Sequence, residues 1–122
     1  MIVQQVNFEK LRIYSLALEL LDLIYELSSE FPRDEIYGVI SQIRRASLSV
    51  VLNIAESQGR QTKADTKNFL IIARGSLYEI LALAEVSKRR RYLSPSEVEM
   101  LREKIFNLLR QLNSLINYLK IK

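Results

Sequence analysis

Four consecutive cations, Lys88-Arg89-Arg90-Arg91, are the densest run of a single chemistry in the chain, and Arg60, Lys63 and Lys67 form a looser second group. Lysine and arginine at such density neutralise phosphates and release counterions, giving a sequence-independent affinity that falls steeply with salt. A plainer reading competes with this one. Cations at a helix C-terminus complement the macrodipole, for typically about 0.3–1 kcal/mol, and improve solubility. On these residues alone the two readings stand level. Tyr78 and Tyr92 offer faces on which bases can stack, although tyrosines in a helical bundle more often pack against their neighbours.

A second set of polar residues is Gln42, Arg45, Ser49, Asn53 and Glu56. Spacings of three and four put them on one side of a helix, where charges and amides can build a hydrogen-bonded ladder that Ser76 or Glu79 of a neighbouring helix would complete. The bland alternative is a solvated face.

Catalytic chemistry finds little to work with. Without histidine or cysteine there is no imidazole base, thiol nucleophile, disulfide, or zinc or haem ligand of the usual kinds. There is no Gly-rich phosphate loop and no Gly-x-Ser-x-Gly turn. Glu56 and Glu79 could converge on a magnesium ion inside a bundle, but the Glu-x-x-His pairs of dimetal bundles are impossible here. We therefore expect no enzyme, no cofactor and no metal.

The net charge of +4 is unevenly spread. Residues 1–43 carry three basic and seven acidic groups, residues 44–91 ten and four, and the remainder five and three. The middle of the chain is its basic part, which points to a polyanionic partner: RNA or DNA, or the acidic surface of another protein.

The elements that must position these groups are helices. In 122 residues, 48% apolar and 26% charged, only three glycines and two prolines occur, too few to punctuate a sheet. The length suits one domain spanning residues 1–122. Breaks are expected near Phe31, Gly59 and Leu93, with Pro32 and Pro95 at first helical positions and Gly59 at a helix stop. Ser94 with Glu97 has the form of a capping box, and Thr62 with Asp65 a weaker cap for the third helix. The first helix is expected from about Phe8 to Ser29, roughly 30 Å long. Short connections between helices of similar length predict an all-α, up-down-up-down antiparallel four-helix bundle, which places the two basic groups at opposite ends. No apolar stretch is long enough to span a bilayer, and residues 1–10 do not read as a secretory signal. The expected location is cytoplasmic.

The helix faces carry a further expectation. The last helix has one apolar stripe, Val98, Leu101, Ile105, Leu108, Leu112, Leu115, Ile116 and Leu119, with Glu99, Arg102, Glu103 and Arg110 opposite. The third has a core stripe of Phe69, Ile72, Ala73, Ser76, Leu77, Ile80 and Ala84, and behind it Ile71, Gly75, Ala82 and Val86. The second pairs Ile36, Val39, Ile40, Ile43, Val50 and Ile54 with Leu48, Val51, Leu52 and Ala55. Two apolar faces need two partners, so Leu48, Val51, Leu52, Ile71, Gly75, Ala82 and Val86 are expected at an interface between subunits; an unusually broad internal core is the alternative. Gly38 and Gly75 read as helix-interior glycines, each costing up to about 1 kcal/mol relative to alanine, which close approach of another helix would offset.

Phe31-Pro32 with Glu35, Gln42-Ile43-Arg44-Arg45-Ala46, Ser49, Asn53-Ile54-Ala55-Glu56, and Ala73-Arg74-Gly75-Ser76 with Glu79 together resemble the bacterial four helix bundle protein family. That family includes proteins encoded in intervening sequences of large-subunit ribosomal RNA genes and accessory variability determinants of diversity-generating retroelements. The likeness covers nearly the whole chain, with Ser57 standing where the family commonly has glycine. It implies a ring-like homopentamer, a basic surface and nucleic-acid binding, with a reverse transcriptase as partner for members near retroelements. It also makes Gln42, Arg45, Ser49, Asn53, Glu56, Ser76 and Glu79 a structural network rather than a binding site, and it tips the basic groups toward RNA or DNA.

Overall fold

The computed structural model describes residues 12–121. They form four helices, α1 (Arg12–Ser28), α2 (Val39–Ser57), α3 (Lys63–Arg89) and α4 (Pro95–Ile121), with a 3₁₀ turn at Arg33–Glu35 between the first two. Among the described residues all regular structure is helical. The expected start of the first helix at Phe8 lies outside the described residues. α1 packs on α2 and α4, and α3 packs on the same two helices, which closes a four-helix bundle.

The core is built from positions spaced alternately by three and four. Ile13, Ala17, Leu20 and Ile24 face inward from α1, and Ile40, Ile43, Ser47, Val50 and Ile54 from α2. α3 contributes Leu70, Ala73, Leu77, Ile80, Ala84 and Ser87, and α4 contributes Val98, Leu101, Ile105, Leu108, Leu112 and Ile116. Such spacing keeps one narrow seam turned toward the neighbours along the full length of a helix. Alanine and serine at several of these sites bring backbones close. The buried hydroxyls are satisfied locally: Ser47 Oγ donates to Arg44 O at 2.9 Å, Ser57 Oγ to Ile54 O at 2.6 Å and Ser87 Oγ to Leu83 O at 2.8 Å. Buried polar groups without a partner would each cost about 1–3 kcal/mol.

Two helix starts form as the sequence predicts. Ser94 Oγ accepts from the Glu97 amide at 3.1 Å while Glu97 Oε1 accepts from the Ser94 amide at 2.9 Å, the reciprocal capping box. Thr62 Oγ1 accepts from the Asp65 amide at 3.1 Å. Ser57 does not break α2, which includes it as its last residue.

Other expectations are corrected. Pro32 opens the 3₁₀ turn, not a long helix, and α2 begins only at Val39, so Gly38 is its N-cap and not an interior residue. Glu35 explains the glycine: its Oε1 accepts from the Val39 amide at 3.1 Å, and a Cβ on Gly38 would collide with that carboxylate. Ile36 and Ile72, expected in the core, are each 50% exposed, while Leu70 takes the buried place on α3. Leu70, Ile71 and Ile72 are consecutive apolar residues. The register that buries Ala73 and Leu77 turns Ile72 outward. Of the residues expected at a subunit interface, Val51 is buried within the protomer and Ile71 packs half-buried against its core.

Candidate nucleic-acid interface

Lys88 and Arg89 complete the last turn of α3, Arg90 is its C-cap and Arg91 follows. All four are exposed. The helix ends in a Schellman motif, in which the Tyr92 amide donates to Ser87 O at 2.8 Å and the Arg91 amide to Lys88 O at 3.0 Å. This motif requires a left-handed residue, usually glycine; here Arg91 fills it with φ of 67°. The run therefore bends around the helix end instead of continuing along one face. Among the described residues none of the four cations forms a salt bridge; Glu85, the acidic residue nearest to them in sequence, pairs with Arg102 at 3.7 Å. An open depression of about 430 Å³ lies alongside, lined by Glu85, Val86, Lys88 and Arg89.

This helix end is fixed to the connection between α1 and α2. The Tyr92 hydroxyl donates to Glu35 Oε2 at 2.7 Å, and the Tyr92 ring packs on Phe31 with centroids 5.4 Å apart. The Glu35 carboxyl is held below its ordinary pKa, first by the Tyr92 hydroxyl, then by the Val39 amide and more weakly by the Arg90 charge, against an opposing effect of desolvation. Tyr92 is thereby committed to structure and its face is not free for stacking. Tyr78 stands half exposed on α3.

Arg60, Lys63 and Lys67 are placed at the other end of α3, which at 27 residues is about 40 Å long. The two basic groups are thus not brought together. Arg60 is already engaged, with its guanidinium 3.0 Å from Glu56 and 5.0 Å from the centre of the Phe69 ring. Asp65 lies in the same turn of α3 as Lys63 and Lys67, so the local excess of positive charge is small.

Part of the polar set is joined. Ser49 Oγ and Ser76 Oγ meet at 2.8 Å across α2 and α3, and Asn53 Nδ2 donates to Ser49 O at 2.9 Å and to Ser49 Oγ at 3.1 Å. Glu56 turns away to Arg60, and Gln42, Arg45 and Glu79 stand exposed. Glu56 and Glu79 are not part of any carboxylate cluster able to hold a metal ion among the described residues. Sequence reasoning missed a separate cross-helix link: Arg44 Nε donates to Ser28 Oγ at 2.8 Å and its guanidinium lies 4.6 Å from the Tyr25 ring centre. It also missed Arg74, which donates to Asn113 Oδ1 of α4 at 2.8 Å. Within the arginines quoted for the resemblance, Arg44 and Arg74 are the ones that connect helices.

No helix among the described residues is long and apolar enough to cross a membrane. Leu48, Leu52, Gly75, Ala82 and Val86, from the expected subunit interface, are exposed. With Ile72 and Glu79 they make outward stripes, at intervals of four on α2 and of three and four on α3.

No curated protein matches the chain. A crystal structure of a protein of unknown function from the S23 ribosomal protein family of Bacteroides thetaiotaomicron VPI-5482 is similar over 86% of this chain and 95% of that one, with a TM-score of 0.80 and 24% identity. At that identity the likeness speaks for the fold. The family model of the 23S rRNA-intervening sequence protein matches residues 9–114. The chain accordingly belongs to the 23S rRNA-intervening sequence protein family, a bacterial four-helix bundle family.

Proposed function

We propose that this protein is a non-catalytic, self-assembling bundle that binds nucleic acid through phosphate contacts at the Lys88–Arg91 end of α3. The observation that carries the reading is the set of four exposed cations wrapped around one helix end, none of them in a salt bridge with a described residue. The group near Arg60 is secondary, because Glu56 and Asp65 offset it. The helices run antiparallel, up-down-up-down; Arg74 with Asn113 and Glu85 with Arg102 support this for α3 and α4, as rising numbers on one meet falling numbers on the other. The outward apolar stripes on α2 and α3 support a ring-like homo-oligomer, the homopentamer that the family resemblance implies. A ring repeats the basic end once per subunit, and contacts that are weak singly become strong together when one strand spans several of them.

The test is binding of labelled single-stranded and duplex RNA and DNA across a salt series, with the particle mass measured in the same buffers. A steep fall of affinity with salt is expected, and replacing Lys88, Arg89, Arg90 and Arg91 by glutamine lowers both the affinity and the slope. Undiminished binding by that variant would overturn the site. Absence of binding at low salt would overturn the nucleic-acid reading altogether.

A further inference from the structure

We propose that Tyr37 is a stacking platform for an unpaired base, placed beside the basic end of α3 so that the interface takes single-stranded nucleic acid in preference to duplex. The inference rests on the phosphate-binding reading above and adds to it a residue of a different chemistry.

Tyr37 is 93% exposed, more than any other large apolar side chain among the described residues, and Ile36 beside it is 50% exposed. Neither contributes to the core. An aromatic ring this far out usually belongs to a flexible segment, but the backbone here is tied down on both sides. The Ile36 amide donates to Arg33 O at 3.1 Å and the Gly38 amide to Glu35 O at 2.9 Å. Glu35 then fastens the segment twice, to the Val39 amide with Oε1 and to the Tyr92 hydroxyl with Oε2. The ring thus projects from an anchored turn, which lowers the entropy lost when a ligand settles on it.

The anchor also ties the turn that carries the ring to the segment that carries the cations. Tyr92 directly follows Arg91, and Glu35 precedes Tyr37 by two residues. One 2.7 Å hydrogen bond between Tyr92 and Glu35 therefore joins the basic run to the tyrosine turn. A strand whose phosphates lie on Lys88–Arg91 thus meets the tyrosine turn at the same end of the bundle. Stacking of this kind tolerates any base but needs an unpaired one; in a duplex the faces are already occupied.

The experiment compares the unsubstituted protein with Tyr37→Ala, Tyr37→Phe and Tyr37→Trp, using one oligonucleotide sequence as a labelled single strand and as a duplex. Tyr37→Ala is expected to weaken single-strand binding about tenfold, to leave duplex binding unchanged and to keep the salt slope, since no phosphate contact is removed. Tyr37→Phe retains single-strand affinity. The chain has no native tryptophan, so Tyr37→Trp carries a sole indole whose fluorescence falls on adding the single strand. If the unsubstituted protein binds single strands and Tyr37→Ala binds them equally well, this inference is overturned while the phosphate reading stands. A loss that is equal for strand and duplex, or an indole quenched by a protein partner but not by oligonucleotide, also overturns it. If the unsubstituted protein binds no nucleic acid, both readings fall together.

Discussion

The Tyr92 hydroxyl donates to Glu35 Oε2 at 2.7 Å, and by this contact the α3–α4 connection holds the α1–α2 connection in place. The other Glu35 oxygen caps α2. One half-buried carboxylate thus couples the turn after α1 and the start of α2 to the α3–α4 connection, 57 residues away in sequence.

Because the folded state holds the Glu35 pKa below its ordinary value, the ionised carboxylate contributes stability. That contribution is fully present above the unfolded-state pKa and is lost as pH falls through the lower folded-state value. Denaturant midpoints measured through the acid range are therefore expected to fall less for Glu35→Gln than for the unsubstituted protein, and the two curves converge at low pH. Tyr92→Phe weakens the same dependence. An unchanged acid limb in Glu35→Gln would show that Glu35 does not contribute to it.

Gly38 depends on the same carboxylate. A methyl group there would displace Glu35 Oε1 from the Val39 amide and disturb the carboxylate whose other oxygen holds Tyr92. Gly38→Ala is expected to destabilise the fold, and in a double-mutant cycle with Glu35→Ala the effects are less than additive, since each substitution removes the same anchor. Full additivity in chemical denaturation would contradict the shared anchor.

How much of this was legible in the sequence differs by element. α4 and its Ser94–Glu97 cap were legible because one apolar stripe, a proline and a capping pair agree. Gly38 was misplaced because the cap of α2 is a glutamate four residues upstream of the amide it bonds, outside the usual capping pattern. Leu70, Ile71 and Ile72 fit three registers equally, and only packing against the neighbouring helices selects one. The basic run was evident as composition, but nothing local announces that Arg91 occupies a left-handed position where glycine is the usual signal. Tyr37 carried no signal either, since exposure at a turn has no periodicity.

The Ser49–Ser76 contact ties α2 to α3 through two hydroxyls, with Asn53 also donating to Ser49. Ser76→Ala removes one partner from a largely buried site and is expected to cost about 1 kcal/mol. Replacing Ser49 as well leaves fewer hydroxyls unsatisfied, so the double variant is less destabilised than the sum of the singles. A double-mutant cycle measured by thermal or urea unfolding decides this.

The outward stripe on α3, Ile72, Gly75, Glu79, Ala82 and Val86, has the three-four spacing of a helix seam, and an added Cβ at Gly75 meets nothing within 4 Å in the protomer. Leu48 and Leu52 lie outward on α2. If these stripes are covered in an assembly, Leu52→Glu combined with Ile72→Glu is expected to reduce the particle to a single chain in sedimentation while helical circular dichroism persists. Both residues are about half exposed in the protomer, so the substitutions leave its core intact. An unchanged mass would place the subunit contact elsewhere.

Arg91 separates stability from binding. In the left-handed region a side chain costs roughly 1–2 kcal/mol relative to glycine, offset in part by the greater entropy that glycine loses on folding. Arg91→Gly is therefore expected to stabilise the protomer by up to about 1 kcal/mol, seen as a higher denaturation midpoint with an unchanged helix signal. The same change removes one cation per subunit from the phosphate site, so affinity for nucleic acid falls and the salt slope decreases by about one for each subunit that the strand engages. Arg91→Ala removes the charge but keeps the Cβ strain, and loses affinity without the gain in stability. A helix end shaped by folding alone would show the stabilisation with no loss of binding; opposite signs in the two measurements are expected where strain is retained for the sake of a charge.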